Sequence, residues 1–98
     1  MVLNINLEFF RKFKTNKCKV FVALIENTDK KSNVWINNLD NKLKLRKASK
    51  TTNEELEEIL KDWIDNKLLN QQPNKNYIIN PAFIKHVNGD WYTINTEI

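Results

Sequence analysis

Thr51–Leu69, TTNEELEEILKDWIDNKLL, is the stretch around which the rest of the chain can be read. Leu56, Ile59, Leu60, Trp63 and Ile64 recur at the three-and-four spacing of a helix with one buried face, and Leu68 follows beyond Lys67. Thr51 or Thr52 is suited to cap its start. Glu54, Glu55, Glu57 and Glu58 lie where a helix N-terminus favours negative charge. Directly after comes LLNQQPNKNYIIN, two short extended runs about Pro73-Asn74-Lys75-Asn76, whose residues suit a hairpin loop.

Working outward toward the N-terminus, Ala48-Ser49-Lys50 is a turn, preceded by a helix from Leu39 to about Lys47 capped by Asn37 or Asn38. Its buried side is read as Leu39 and Leu43, with Leu45 near the edge. Lys42, Lys44, Arg46 and Lys47 face out. Val34-Trp35-Ile36 reads as a very short strand and Asn27–Asn33 as a polar loop. Lys17–Glu26 is an amphipathic helix behind the capping residues Thr15 and Asn16, and Phe9 or Phe10 with Phe13 lines a short helix over the core. Val2–Asn6 alternates as a strand. On the other side, Asn80-Pro81 breaks the hairpin's second strand and Ala82–His86 is expected to form a helical turn. Val87-Asn88-Gly89-Asp90 signals a turn before a last strand, Trp91–Ile94. The expected core is Phe21, Val22, Ile25, Leu43, Leu56, Ile59, Leu60, Trp63 and Ile78, with Trp35 and Trp91 also inside.

Ninety-eight residues suit a single domain, 1–98, and 41% hydrophobic content with three Trp and five Phe argues for a packed core. The net charge of +4 hides a segregation: residues 1–50 carry twelve Lys/Arg against four acids, and residues 51–66 carry one Lys against six. Such a chain suits a polyanionic partner met by selected surfaces. Cys18 is the only cysteine, which excludes an internal disulfide, and neither it nor His86 has metal-ligand spacing. No cofactor is expected. No run is long enough to cross a membrane and the first ten residues lack a signal-peptide core, so a cytoplasmic protein is expected. Without paired carboxylates, an activated nucleophile or a phosphate-cradling loop (Gly89 is the only glycine), an enzyme is the least favoured class.

The order helix, short strand, helix, turn, helix, two-stranded hairpin resembles the winged helix-turn-helix superfamily. More narrowly, KCKVFVALIENTDKKSNVWI, DWIDNKLL and NYIINPAFIKHVNGDWYTI resemble replication-initiator and conjugation (relaxosome) accessory proteins of plasmids in Gram-positive bacteria. The likeness covers roughly residues 7–95 and lies in apolar positions and turns: a helix and polar loop before a strand (Lys17–Ile36), an apolar pair after the third helix (Leu68-Leu69), and Asn80-Pro81 ending the wing. It implies an α+β winged helix-turn-helix: a three-helix core, a β-hairpin wing and short N- and C-terminal strands. It also implies sequence-specific binding of double-stranded DNA near an origin of transfer or in replication, beside a relaxase or replication protein. A homodimer is compatible with it. The family usually places Gly before the apolar pair; here Lys67 stands there.

A conventional recognition helix offers Arg, Lys, Ser, Thr, Asn or Gln to base edges from its first turns. Here those turns offer Asn53 and four glutamates. Two like charges about 6 Å apart repel by several tenths of a kcal/mol even in water, and by more in a partly dry groove. The expected DNA-binding set therefore centres on the wing: Gln71, Gln72, Asn74, Lys75 and Asn76. The basic side supplies Lys42, Lys44, Arg46, Lys47 and Lys50, with Asn53 beside them. Two blander readings stand next to this one: the wing amides as turn formers, and the lysines as a solvated face. The acidic helix has its own structural account in the helix dipole and in pairs such as Glu57–Lys61. The competing function is an adaptor or inhibitor of a nucleic-acid enzyme that docks through the acidic helix.

Overall fold

The starts of the three longer helices are fixed by side-chain caps in the computed structural model, which describes residues 1–95. Residues 96–98 of the expected domain lie outside that range. Thr15 accepts from the Cys18 amide at 3.3 Å and opens α2 (Asn16–Glu26). Asn38 accepts from the Asn41 amide at 2.8 Å and opens α3 (Leu39–Ser49). Thr52 accepts from the Glu55 amide at 3.2 Å and opens α4 (Asn53–Asp65). Each cap satisfies one of the amide donors that a helix leaves unpaired at its first turn. A single turn, α1 (Leu7–Phe10), precedes them and buries Leu7.

The strands form two antiparallel three-stranded sheets, giving a small α+β domain. In one, β4 (Tyr77–Ile79) lies between β3 (Leu69–Gln71) and β2 (Val34–Trp35), with Trp35 opposite Tyr77 and Leu69 opposite Ile79. In the other, β6 (Trp91–Asn95) lies between β1 (Val2–Asn6) and β5 (Ile84–Asn88). The core joins α2 (Val20, Leu24, Ile25), α4 (Leu56, Ile59, Leu60) and the inner sheet residues Trp35, Leu69, Tyr77, Ile79, Ile84 and Tyr92. Each fully buried aliphatic side chain contributes about 1.5–3 kcal/mol of hydrophobic free energy.

Four expectations are corrected. Of the expected helical turn at Ala82–His86 only the start is a turn, closed by the Phe83 and Ile84 amides on the Asn80 carbonyl at 2.9 and 3.1 Å. Residues 84–88 form β5, with Ile84 facing Ile94 and His86 facing Tyr92, so pairing with β6 overrides the local signal. The inward stripe of α3 is Leu45 and Ser49, both fully buried, whereas Leu39 is 73% exposed and Leu43 36%. Leu39–Leu43 and Leu45–Ser49 have the same i,i+4 spacing, so periodicity could not choose between them. Ser49 is tolerated inside because its hydroxyl donates to the Leu45 carbonyl at 2.7 Å and lies 2.8 Å from the Thr51 hydroxyl. Trp91 is half exposed, since the register of β6 turns Tyr92 and Ile94 inward and Trp91 out. Among the expected core residues, Phe21, Trp63 and Ile78 are only partly buried.

α4 ends in a left-handed residue. The Leu68 amide donates to the Trp63 carbonyl at 2.9 Å and the Lys67 amide to Ile64 at 3.0 Å, while Lys67 has φ +63°. This is the Schellman arrangement, with lysine in the position that glycine fills at least strain. Asn80 then fastens the next strand: its side chain donates to the Lys67 carbonyl at 3.0 Å and its amide to Leu68 at 2.9 Å. Lys67→Gly relieves the backbone strain and should raise unfolding free energy by about 0.5–1 kcal/mol, after allowance for the freer unfolded chain. A urea midpoint that falls would show that the lysine side chain stabilises the helix end.

Arg11 closes the lower edge. Its guanidinium forks onto Asp90 at 2.9 and 3.3 Å and reaches Glu26 at 2.9 Å. The hydrogen bond from Arg11 holds the Asp90 carboxyl below its ordinary pKa. The stabilisation is therefore present above the usual carboxylate range and disappears as pH falls through the depressed native value. Arg11→Gln should return Asp90 toward the ordinary range in an NMR carboxyl titration and flatten the acid side of the stability profile. An unmoved Asp90 titration would discount the pair.

Candidate nucleic-acid interface

The wing tip is a tight turn followed by a left-handed residue. The Lys75 amide donates to Gln72 at 2.9 Å, the Gln72 amide to Asn76 at 2.8 Å, and Lys75 has φ +74°. Pro73 takes the second turn position, which its fixed φ favours, and Lys75 takes the place usually given to glycine. That geometry projects Lys75, Asn74 and Pro73 into solvent.

The amides divide into two kinds. The Asn74 side-chain oxygen accepts from the Asn76 amide at 3.1 Å, and Gln71 donates to the Lys75 carbonyl at 3.3 Å. The Asn76 side-chain oxygen accepts from the Asn37 amide at 2.9 Å. These groups hold the turn. Gln72 makes no side-chain hydrogen bond among the described residues and is half-buried. Tyr77, at the wing base, is core: it is buried against Trp35 at 5.7 Å between ring centroids, and burial raises its pKa. Trp35 Nε1 is buried beside it with no hydrogen-bond partner among the described residues.

Asn37 is the residue that sequence reading missed. Besides its bond to Asn76, its side chain donates to the Lys75 carbonyl at 2.9 Å. Asn37 directly precedes the cap of α3, so two hydrogen bonds tie the wing tip to the start of the basic helix. Only its place beside another asparagine marked it, and that signal pointed to capping.

The structure splits the basic residues. Lys44 and Lys47 are exposed on α3, and Lys50 is exposed at its left-handed end, with φ +55°. Asn53 is exposed three residues further on. At the rise of a helix, Lys44, Lys47 and Lys50 lie about 8, 12 and 16 Å along α3 from its wing-bound end. Lys42 is not free: it pairs with Glu57 at 3.3 Å. Arg46 is half-buried, and its Nε has no hydrogen-bond partner among the described residues.

The carboxylates of α4 are largely answered from within the chain. Glu57 meets Lys42, replacing the expected Glu57–Lys61 pair, and Lys61 instead reaches Asp65 at 3.6 Å. Asp62 meets Lys17 at 2.8 Å, and Glu55 accepts from Asn16 at 3.3 Å. Glu54 and Glu58, exposed one turn apart, make no ion pair among the described residues. Exposed pairs of this kind are each worth about 0–1 kcal/mol, and they also relieve crowding among like charges. Among the described residues no cluster of His, Cys, Asp or Glu could hold a metal ion, and no helix is long and apolar enough to cross a membrane.

No protein-family model, curated protein or solved structure matches this sequence.

The Asn37 contacts predict a local effect. Asn37→Ala should leave the cooperative melt in place, shifted by about 1–2 kcal/mol, while hydrogen exchange at the Lys75 and Gln72 amides quickens. Unchanged exchange at the tip would mean that the hairpin holds itself.

Proposed function

We propose that this chain is a winged helix-turn-helix protein that binds duplex DNA sequence-specifically, with the wing and the basic helix meeting the DNA. The setting is a plasmid or other mobile element, at an origin of transfer or in replication. That setting is supported by the resemblance of 17–36, DWIDNKLL and NYIINPAFIKHVNGDWYTI to plasmid accessory proteins. The fold reading is supported by the order α2, β2, α3, α4, β3, β4 and by the pairing of β2 with β4.

One observation carries the interface: the two bonds from Asn37 that fasten the acid-free wing tip to the head of the basic helix. Pre-organised in this way, a tip and a helix engage a duplex together without the ordering cost of a loose hairpin. Lys75 reaches phosphate. Gln71, Gln72 and the side-chain nitrogens of Asn74 and Asn76 offer donors to adenine or to minor-groove acceptors. Lys44, Lys47 and Lys50 add backbone contacts. α4 stays out of the groove, because Glu54 and Glu58 would face phosphate unneutralised.

A fluorescence titration on a cognate duplex, found by screening fragments that tile the neighbouring genetic element, tests the assignment. Gln72→Ala and Lys75→Ala should each lose about 1–3 kcal/mol of affinity, whereas Glu54→Gln with Glu58→Gln should leave it unchanged or raise it. Lys47→Ala should weaken all duplexes alike and make the salt slope shallower by about one unit. Loss from the glutamate changes alone would put α4 in the groove. Binding to no duplex, with capture of a basic protein that depends on Glu54 and Glu58, would favour the adaptor reading.

A further inference from the structure

Between α2, the C-terminal end of α4 and the inner edges of both sheets lies an apolar cleft of about 380 Å³, open to solvent on one side. Its walls are aromatic and aliphatic: Phe10, Phe21 and Phe83 with Trp63, Leu68 and Ile94. Phe10 and Phe21 meet edge to face at 6.0 Å between centroids, and Phe21 and Trp63 at 6.3 Å. The rings thus pack edge to face along one wall. An engineered apolar cavity of about 150 Å³ stays dry and takes up benzene. By that measure this space admits a body of two to three rings, and it lies within the range of about 300–1,000 Å³ that small-molecule sites occupy. Left empty, the wall carbons forgo dispersion contacts that a ligand would restore.

The polar groups at the cleft decide the ligand's charge. Each is already engaged: the Thr15 hydroxyl accepts from the Cys18 amide, the Cys18 thiol donates to the Phe10 carbonyl at 3.4 Å, and Lys17 is paired with Asp62 at 2.8 Å. Lys17 and Asp62 therefore balance each other at the rim, and the apolar walls between offer no free ionic partner. A charged group drawn inside would lose its water without compensation.

We infer that this cleft is a binding site for an uncharged apolar molecule two to three rings in size, aromatic in preference because the wall rings offer edge-to-face contacts. The site is independent of the DNA-binding surface. Its wall nevertheless includes Leu69 and Ile79, from the strands that carry the wing.

Two probes of one skeleton test the inference on the native protein: N-phenyl-1-naphthylamine, which is neutral, and 1-anilinonaphthalene-8-sulfonate. The neutral probe should bind saturably at one per chain, and the sulfonate at least about tenfold more weakly, since its charge has no partner inside. Cys18, the only thiol, reports occupancy directly. At saturation with the neutral probe its alkylation by iodoacetamide should slow roughly tenfold, as expected when the bound fraction is above nine-tenths. Cys18→Phe fills the cleft and should weaken the neutral probe by a similar factor while retaining a cooperative melt. Unsaturable binding, equal affinity for the two probes, or an unchanged alkylation rate would each overturn the proposal. The alkylation arm decides even if the Phe variant does not fold.

Discussion

The two sheets are joined at Asn33. Its side-chain nitrogen donates to the carbonyls of Ile79, the last residue of β4, and Ile84, the first of β5, each at 3.1 Å. Its own carbonyl accepts from the Ile79 amide at 2.9 Å. Without that one carboxamide, two backbone acceptors at the seam of the core would lose their donor, at a cost of about 1–3 kcal/mol each where water cannot replace it. Asn33 holds a left-handed backbone, φ +59°, which asparagine accepts more readily than other residues with a side chain. The two-residue strand β2 needs such a neighbour, because it is too short to fix its own register. From Asn33 the placement of Trp35 against Tyr77 follows, and with it the base of the wing.

Charge is arranged on the same plan of internal satisfaction. Lys17 and Lys42 reach from α2 and α3 to Asp62 and Glu57 on α4, so the most acidic helix sits between cations of its own chain. The helix dipole accounts for the acids of the first turn, and these cross-helix pairs account for two further on. Part of the positive excess of the first fifty residues is thereby paired off at the surface. Lys44, Lys47, Lys50 and Lys75 remain exposed.

Features set by neighbours along the chain are legible in the sequence. The three helix starts, the stripe of α4 through Leu56, Ile59 and Leu60, the first and last strands and the hairpin about Pro73 follow from local chemistry and are present. The sequence left each cap open between neighbours, and the structure chooses Thr15, Asn38 and Thr52. Features chosen by distant partners are not legible there. The face that α3 buries depends on what α2 and α4 offer, β5 exists because β6 lies beside it, and Trp91 points outward by a register that alternation alone leaves open. Asn33 and Asn37 are hidden for the same reason: in an asparagine-rich chain, two amides that tie elements together look like any others. Lys67 falls between the two cases. The resemblance marks its position as a glycine site, and its positive φ gives the physical reason.

The sheet β1–β6–β5 places Val2 opposite Asn95, almost the greatest sequence separation this chain allows. Pairing of that kind is topologically slow, because the loop must be closed before any contact rewards it. The helical unit and the β2–β4–β3 sheet close much shorter loops. β5 and β6 are a local hairpin, so it is the addition of β1 to β6 that is expected to come last in folding. Leu7, whose amide donates to the Asp90 carbonyl at 2.8 Å, and the Arg11 fork onto Asp90 are the latches on that step. Mutations there would act chiefly on the rate of unfolding and leave the rate of collapse largely alone.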